Sequence, residues 1–135
     1  MSEPVGSAPA LVRVLVVEDD PLTRVTLLVQ LAEAEPRART LPALAGEGVG
    51  TLAEALARLA RPEAPIDVVL LDLGLPDADG LEAFERVRAA GPAPVVILTA
   101  NRDDALAARA VREGAEDFLL KHEVEGPLLR RALLW

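Results

Sequence analysis

Short, wholly apolar runs alternate along the chain with longer stretches in which apolar residues recur every three or four positions. Leu11-Val12-Arg13-Val14-Leu15-Val16-Val17 is β-branched, almost entirely apolar and followed by acids. It reads as a strand buried on both faces, the pattern of a parallel sheet. Val68-Val69-Leu70-Leu71, Val95-Val96-Ile97-Leu98-Thr99 and the shorter Phe118-Leu119-Leu120 read the same way.

Helical periodicity fills the intervals. Asp20 is placed to cap a helix that begins at Pro21, a residue suited to the first helical position. Leu22, Val25, Leu28, Val29 and Ala32 then fall on one face. Thr51-Leu52-Ala53-Glu54 is a capping box opening a second helix through about Leu59. Leu81, Phe84 and Val87 form a third stripe, ended near Gly91-Pro92. Leu106, Ala107, Ala110 and Val111 form a fourth, ended by Gly114 just past the helix. Leu128, Leu129, Ala132 and Leu133 form the last.

Alternating strands and helices with short connections predict an α/β fold on a parallel sheet. One strand is missing from this pattern. The alternation puts it between the first two helices, in Arg37 to Leu44, where Pro42 restricts it to a sheet edge. Gly46-Glu47-Gly48-Val49-Gly50 lacks the third glycine of a dinucleotide fingerprint, because Thr51 stands there. It reads as a flexible loop.

Composition narrows the function. The 135 residues suit one domain, with residues 1–10 as a loose, Pro/Gly-rich lead-in and 11–135 as the folded unit. With two Phe, one Trp and no Tyr, the core must be built from Leu, Val and Ala. The absence of cysteine excludes disulfides and thiolate metal sites. No run has the length of a membrane span, and the first ten residues lack the pattern of a secretory signal, so a cytoplasmic location is expected. A net charge of −8 argues against nucleic-acid binding by this domain, since phosphate contacts need a basic footprint.

The acids are also concentrated. The first strand runs into Glu18-Asp19-Asp20 and the Val68 strand into Asp72, while other strands end at Thr99 and Lys121. In an open parallel sheet these carboxyl ends form the ligand-binding edge. Two like charges at about 4 Å cost roughly 4 kcal/mol at an effective dielectric near 20, so such a cluster calls for a cation. Carboxylate oxygens suit Mg²⁺, and a hydroxyl with an ammonium suits an anion beside it. Together they point to phosphoryl transfer onto an aspartate.

Four segments carry a resemblance: Val16-Val17-Glu18-Asp19-Asp20-Pro21, Leu71-Asp72-Leu73-Gly74-Leu75-Pro76-Asp77-Ala78-Asp79-Gly80-Leu81, Val96-Ile97-Leu98-Thr99-Ala100 and Asp117-Phe118-Leu119-Leu120-Lys121. In order and at strand ends, they resemble the signature blocks of two-component response-regulator receiver domains, over about Leu11 to Leu134. The resemblance implies a doubly wound, flavodoxin-like (βα)5 fold with a five-stranded parallel sheet in the order 2-1-3-4-5, the order of the chemotaxis regulators of that family. It makes Asp72 the phosphoacceptor. Asp19 becomes a direct Mg²⁺ ligand, Glu18 a neighbour acting through water, and the Gly74 carbonyl a third protein ligand. Thr99 becomes the hydroxyl that moves to the phosphoryl group, Lys121 its ammonium partner and Phe118 the aromatic that turns inward. The resemblance also implies a phosphorelay switch, with a histidine kinase or histidine phosphotransfer protein as donor. Its readout is a shift of the face formed by the fourth helix, fifth strand and fifth helix. That face can serve an output domain, a partner protein or a homodimer.

Simpler readings exist for each residue. Asp72 alone could be a cap or a solvated loop acid; Asp19, Thr99 and Lys121 at matching strand ends decide against that. Asp20 is better suited to capping than to chemistry, and Asp77 and Asp79 to a turn with Gly80. Leu75 and Arg86 stand where a calcium loop needs acids. His122 reads as an exposed loop residue, and Phe118 could be a core aromatic only. His122 follows Lys121 where many family members have a proline, often cis, so a trans bond is expected. The last stripe stops at Trp135, which suggests a clipped last helix and a receiver excised from a longer protein, with a stand-alone regulator as the alternative. The chain is read as a self-modifying substrate and not as a turnover enzyme. Two other functions compete: a degenerate receiver acting as a phosphate-independent interaction module, and an aspartyl phosphatase. The phosphatase commonly needs a second aspartate where Gly74 stands.

Overall fold

The structure, a computed structural model, describes residues 11–33, 43–101 and 104–124. Its elements alternate as the apolar pattern requires. They are β1 (Leu11–Val17), α1 (Pro21–Glu33), β2 (Ala43–Val49), α2 (Leu52–Leu59), β3 (Val68–Asp72), α3 (Glu82–Ala89), β4 (Val95–Thr99), α4 (Ala105–Arg112) and β5 (Asp117–Leu120), closed by a short 3-10 turn at Lys121–Glu123. The five strands form one sheet, all parallel, in the order β2-β1-β3-β4-β5. This is the flavodoxin-like order, reversing direction of winding at β1 and β3, so the crevice beyond their carboxyl ends is the natural ligand site.

The central strands are apolar up to their carboxyl ends, Arg13 near the start of β1 excepted, because both faces are covered. Every residue of β3 and β4 is buried. Leu15, Val17, Val69, Leu71 and Ile97 pack on one face with Leu52 and Ala55 of α2, Phe84 and Val87 of α3, and Ala107 and Ala110 of α4. Val14, Val16, Leu70, Val96 and Leu98 pack on the other with Leu27 and Leu31 of α1. No helix among the described residues is long and apolar enough to cross a membrane.

The second strand corrects two expectations. It lies at the sheet edge, as Pro42 suggested, but runs over Ala43–Val49 and not within Arg37 to Leu44. Residues 37–42 lie outside the described ones. The Gly46–Gly50 stretch is therefore mostly strand and not a flexible loop. The glycines are there for close packing. A β-carbon on Gly46 would lie 2.8 Å from Leu31 Cδ1 and 2.9 Å from Leu28 Cδ2, and one on Gly48 would lie 3.0 Å from Leu28 Cδ1. Gly in a strand often marks such an approach by a neighbouring element.

The inward face of α1 also differs. Leu27 and Leu31 are buried, whereas Leu22, Val25 and Val29 of the expected face are 75, 54 and 47 % exposed. Apolar residues surround this helix, so periodicity alone cannot choose its buried side. In α4, likewise, Ala107 and Ala110 face inward while Leu106 is exposed. The capping predictions hold: Asp20 Oδ2 accepts from Thr23 N–H at 2.9 Å, and Thr51 Oγ1 accepts from Glu54 N–H at 3.1 Å. Gly114 ends α4 with φ +127°. Every peptide bond among the described residues is trans, that between Lys121 and His122 included, and His122 is exposed. The fifth helical stripe, Leu128 to Leu133, lies outside the described residues.

Candidate functional site

Three strands, β1, β3 and β5, lead into acids or their partner at one edge. β1 carries the chain into Glu18, which is fully buried, and then Asp19, which is exposed. β3 ends on Asp72, only 6 % exposed. Parallel pairing of β1 with β3 brings Val17 opposite Leu71, so these acids follow as neighbours. Oxygens of Glu18, Asp19 and Asp72 all lie within 4.8 Å of one another.

Lys121 enters from the end of β5. Its Nζ lies 2.7 Å from Glu18 Oε1 and 3.2 Å from Asp72 Oδ1. One ammonium thus serves two carboxylates, and a third stands beside them. Burial pushes the Glu18 carboxyl above its ordinary value, and the Lys121 contact only partly opposes this. Burial alone would lower the Lys121 ammonium; the close contact with the Glu18 carboxylate and the charge of Asp72 outweigh it and raise the value. Lys121 is therefore firmly charged at neutral pH.

The backbone and neighbours fix these acids. Glu18 Oε2 accepts from Asp20 N–H at 3.1 Å, and Asp72 Oδ1 accepts from Gly74 N–H at 3.0 Å. Arg24 Nη1 donates to the Glu18 carbonyl at 2.7 Å, tying the acid-bearing turn to α1. Glu18 Oε1 is buried and has the Lys121 charge as partner, but no aligned hydrogen bond. A buried carboxylate oxygen in that condition, with two more carboxylates in reach, fits a hard divalent cation or its bound water.

Thr99 and Phe118 stand apart from this cluster. Thr99 ends β4 and is 3 % exposed, yet its hydroxyl is directed along its own loop. It donates to Asp104 Oδ2 at 2.7 Å, with the Asn101 carbonyl farther off at 3.2 Å. Phe118 is half-buried, pairs in register with Ile97, and packs on the sheet face covered by α2, α3 and α4. Since Ile97 and Thr99 are two residues apart on β4, Thr99 and Phe118 belong to the same face.

Two contacts made by aspartates were not foreseen. Asp77, expected only to make a turn, accepts from Leu52 N–H at 2.9 Å and Ala53 N–H at 3.0 Å. It thereby satisfies the first turn of α2 from 25 residues away, while Gly80 with φ +49° makes the turn. Asp104 holds Thr99 and caps α4. Its sequence signal was present, an aspartate just before the fourth apolar stripe; Asp77 carries no such local signal.

A doubly wound parallel sheet with an acid cluster and a lysine at its carboxyl edge defines a receiver-type signalling domain. The chain belongs to the response regulator receiver domain family of two-component signalling, whose profile matches residues 14–133. It is 43 % identical over 110 residues to a protein-glutamate methylesterase/protein-glutamine glutaminase of Anaeromyxobacter dehalogenans, a match covering 82 % of this chain and 30 % of that protein. It is 35 % identical over 108 residues to the transcriptional regulatory protein KdpE of Mycobacterium tuberculosis, covering 80 % of this chain and 43 % of that protein. The chain thus spans under half the length of these relatives. Among solved structures it is similar to the receiver domain of a sensor histidine kinase from Pseudomonas aeruginosa, with a magnesium ion coordinated in the active-site cleft. There the TM-score is 0.72 and the identity 25 %, covering 93 % of this chain and 98 % of that one.

Proposed function

We propose that this domain is a phosphorelay switch in which Asp72 accepts a phosphoryl group from the phosphohistidine of a histidine kinase or phosphotransfer protein. One observation carries the reading: buried Asp72 lies among the Glu18 and Asp19 carboxylates with Lys121 Nζ at 3.2 Å. An Asp72 oxygen attacks phosphorus in line. The new oxygen–phosphorus bond forms as the phosphorus–imidazole nitrogen bond breaks, and the donor histidine leaves. Lys121, fully charged, offsets the charge on an equatorial phosphoryl oxygen. Glu18, Asp19, Asp72 and the Gly74 carbonyl would hold Mg²⁺, consistent with the magnesium in the similar Pseudomonas receiver. When bound, the ion supplies further neutralisation of phosphoryl charge and orients its oxygens.

Thr99 then leaves Asp104 to donate to a phosphoryl oxygen, and Phe118 moves into the space on their shared face. The outer surface of α4, β5 and the fifth helix expected at Leu128 to Leu133 changes with them. This is a population shift biased by one local change of charge. In this reading residues 11–135 form the receiver and residues 1–10 a lead-in. The domain modifies itself and does not turn over substrate. It works in the cytoplasm, and its altered face serves an output domain, a partner protein or a second copy, without contacting nucleic acid itself.

Incubation with Mg²⁺ and acetyl phosphate should add one phosphoryl group by intact mass, and Asp72→Asn should abolish the gain. Equal modification of Asp72→Asn would overturn the assignment. So would sustained turnover of a phosphate monoester, which belongs to a phosphatase.

A further inference from the structure

We propose that Asp104 is a positioning residue that holds the Thr99 hydroxyl in the resting arrangement and so sets how readily the domain is activated. The proposal rests on the phosphorelay reading and deepens it. A threonine hydroxyl has one proton to donate. In this structure that proton goes to Asp104 Oδ2 at 2.7 Å, the short distance of a bond to a carboxylate. To donate to a phosphoryl oxygen on Asp72, Thr99 must withdraw it.

The other oxygen of Asp104 does separate work. Oδ1 accepts from Leu106 N–H at 2.9 Å and from Ala107 N–H at 3.2 Å, the first turn of α4. One carboxylate therefore ties the switch hydroxyl to the helix that forms part of the output face. Burial pushes the Asp104 carboxyl upward, but its donors (Thr99 first, then Ala107 and Leu106) outweigh this and hold it below its ordinary value. It is ionised at neutral pH, and an ionised carboxylate accepts a hydroxyl more strongly than a neutral group does. Release of Thr99 removes one of these donors and leaves the cap in place. The hold on Thr99 thus opposes activation and can be released without loss of the α4 cap.

Asparagine separates the two tasks. It caps helices about as well as aspartate. With its carbonyl oxygen on the α4 N–H groups, its amide nitrogen faces Thr99; it can donate to the Thr99 oxygen but cannot accept from it, which frees the hydroxyl proton. Asp104→Ser caps with a single oxygen and offers a second way to free Thr99. The test is calorimetric titration with beryllofluoride, a phosphoryl mimic, in saturating Mg²⁺, alongside titration with Mg²⁺ alone. Both variants should bind beryllofluoride roughly tenfold tighter than the parent protein, the scale of one charge-assisted hydrogen bond. Mg²⁺ affinity should stay within about twofold. In a Thr99→Ala background the advantage of Asp104→Asn should disappear, which a merely structural effect on α4 would not do.

The two layers fail differently. Absence of beryllofluoride binding in the parent protein overturns the phosphorelay reading. The hold on Thr99 is then read from the ligand-free protein, where Asp104→Ser should change the Thr99 side-chain rotamer by NMR coupling constants. An unchanged rotamer overturns the proposal. Unchanged or weaker beryllofluoride binding by both variants, or the same gain in the Thr99→Ala background, overturns it as well.

Discussion

Replacing Asp72 by Asn should stabilise the protein when no divalent ion is present, and the size of the effect follows from the cluster geometry. Asn keeps the shape of the side chain and, through Oδ1, the 3.0 Å bond from Gly74 N–H, but removes a charge. At an effective dielectric of 20, the Lys121 contact at 3.2 Å is worth about 5 kcal/mol to Asp72. Repulsion from buried Glu18 within 4.8 Å takes back about 3.5 kcal/mol. Asp19 is exposed, and solvent reduces its repulsion to about 1 kcal/mol. These terms nearly balance, so the sign is set by desolvation of a carboxylate that is only 6 % exposed, a cost of a few kcal/mol. Asp72→Asn should therefore gain about 2 kcal/mol, or roughly 6–10 °C in Tm for a domain of this size. The assay is thermal unfolding in EDTA and in Mg²⁺. Mg²⁺ at a hundred times its Kd should add about 2.7 kcal/mol to the parent protein, and less to the variant that has lost a ligand. The gap should close or invert. A variant less stable than the parent in EDTA, or equal Mg²⁺ shifts in both proteins, would refute the reasoning.

Two other perturbations test the frame around the site. Glu47 on the edge strand receives Arg58 Nη2 at 2.7 Å and Arg58 Nε at 3.0 Å; the Arg58 side chain is 7 % exposed and that of Glu47 41 %. Half-screened pairs fall between exposed and buried ones, so a double-mutant cycle of Glu47→Gln with Arg58→Met should give a coupling of about 1–2 kcal/mol in urea unfolding. A coupling near zero would mean that this pair does not anchor β2 to α2. Asp77→Ala should lower Tm, because two α2 N–H groups lose their acceptor. Those N–H groups hold the folded-state carboxyl below its ordinary 3.8, so its contribution is complete above that value and is lost as pH falls through the depressed one. The difference between parent and variant should shrink on acidification below 3.8; a constant difference down to strong acid contradicts the assignment.

The legible parts of the sequence are those in which local pattern and tertiary environment agree. The buried stretches 14–17, 68–71 and 95–98 are covered on both faces, so their residues had to be apolar, and that pattern also marked where they end. Glu18, Asp19, Asp72, Thr99 and Lys121 were found because each stands where such a run stops. β2 broke the agreement. Its glycines satisfy α1, which approaches within 3 Å of where their β-carbons would be, and they erase the β-branched signal of a strand. The α1 face was ambiguous for a related reason: Leu22, Val25 and Val29 are as apolar as Leu27 and Leu31, and only the sheet decides which are buried. Asp77 shows the limit most clearly, since its partners are set by the approach of two loops and leave no periodicity.

The contacts at the site are also of the right size for a switch. Moving a two-state equilibrium from 1:99 to 99:1 takes a differential of about 5.5 kcal/mol. In the phosphorelay reading a phosphoryl group on Asp72 offers new acceptors to two donors, the Thr99 hydroxyl and Lys121 Nζ. Each charge-assisted contact is worth about 1.5–3 kcal/mol, so together they set an upper limit of about 3–6 kcal/mol. Neither donor is idle beforehand. Lys121 is shared with Glu18 at 2.7 Å, and Thr99 is held by Asp104 at the same distance. Only the difference between old and new partners is available to drive the shift. In the phosphorelay reading, carboxylates that compete for both donors would keep the switch off until the phosphoryl charge is added. In that reading the buried acids Glu18 and Asp72 and the acid that accepts from Thr99 are two parts of one arrangement.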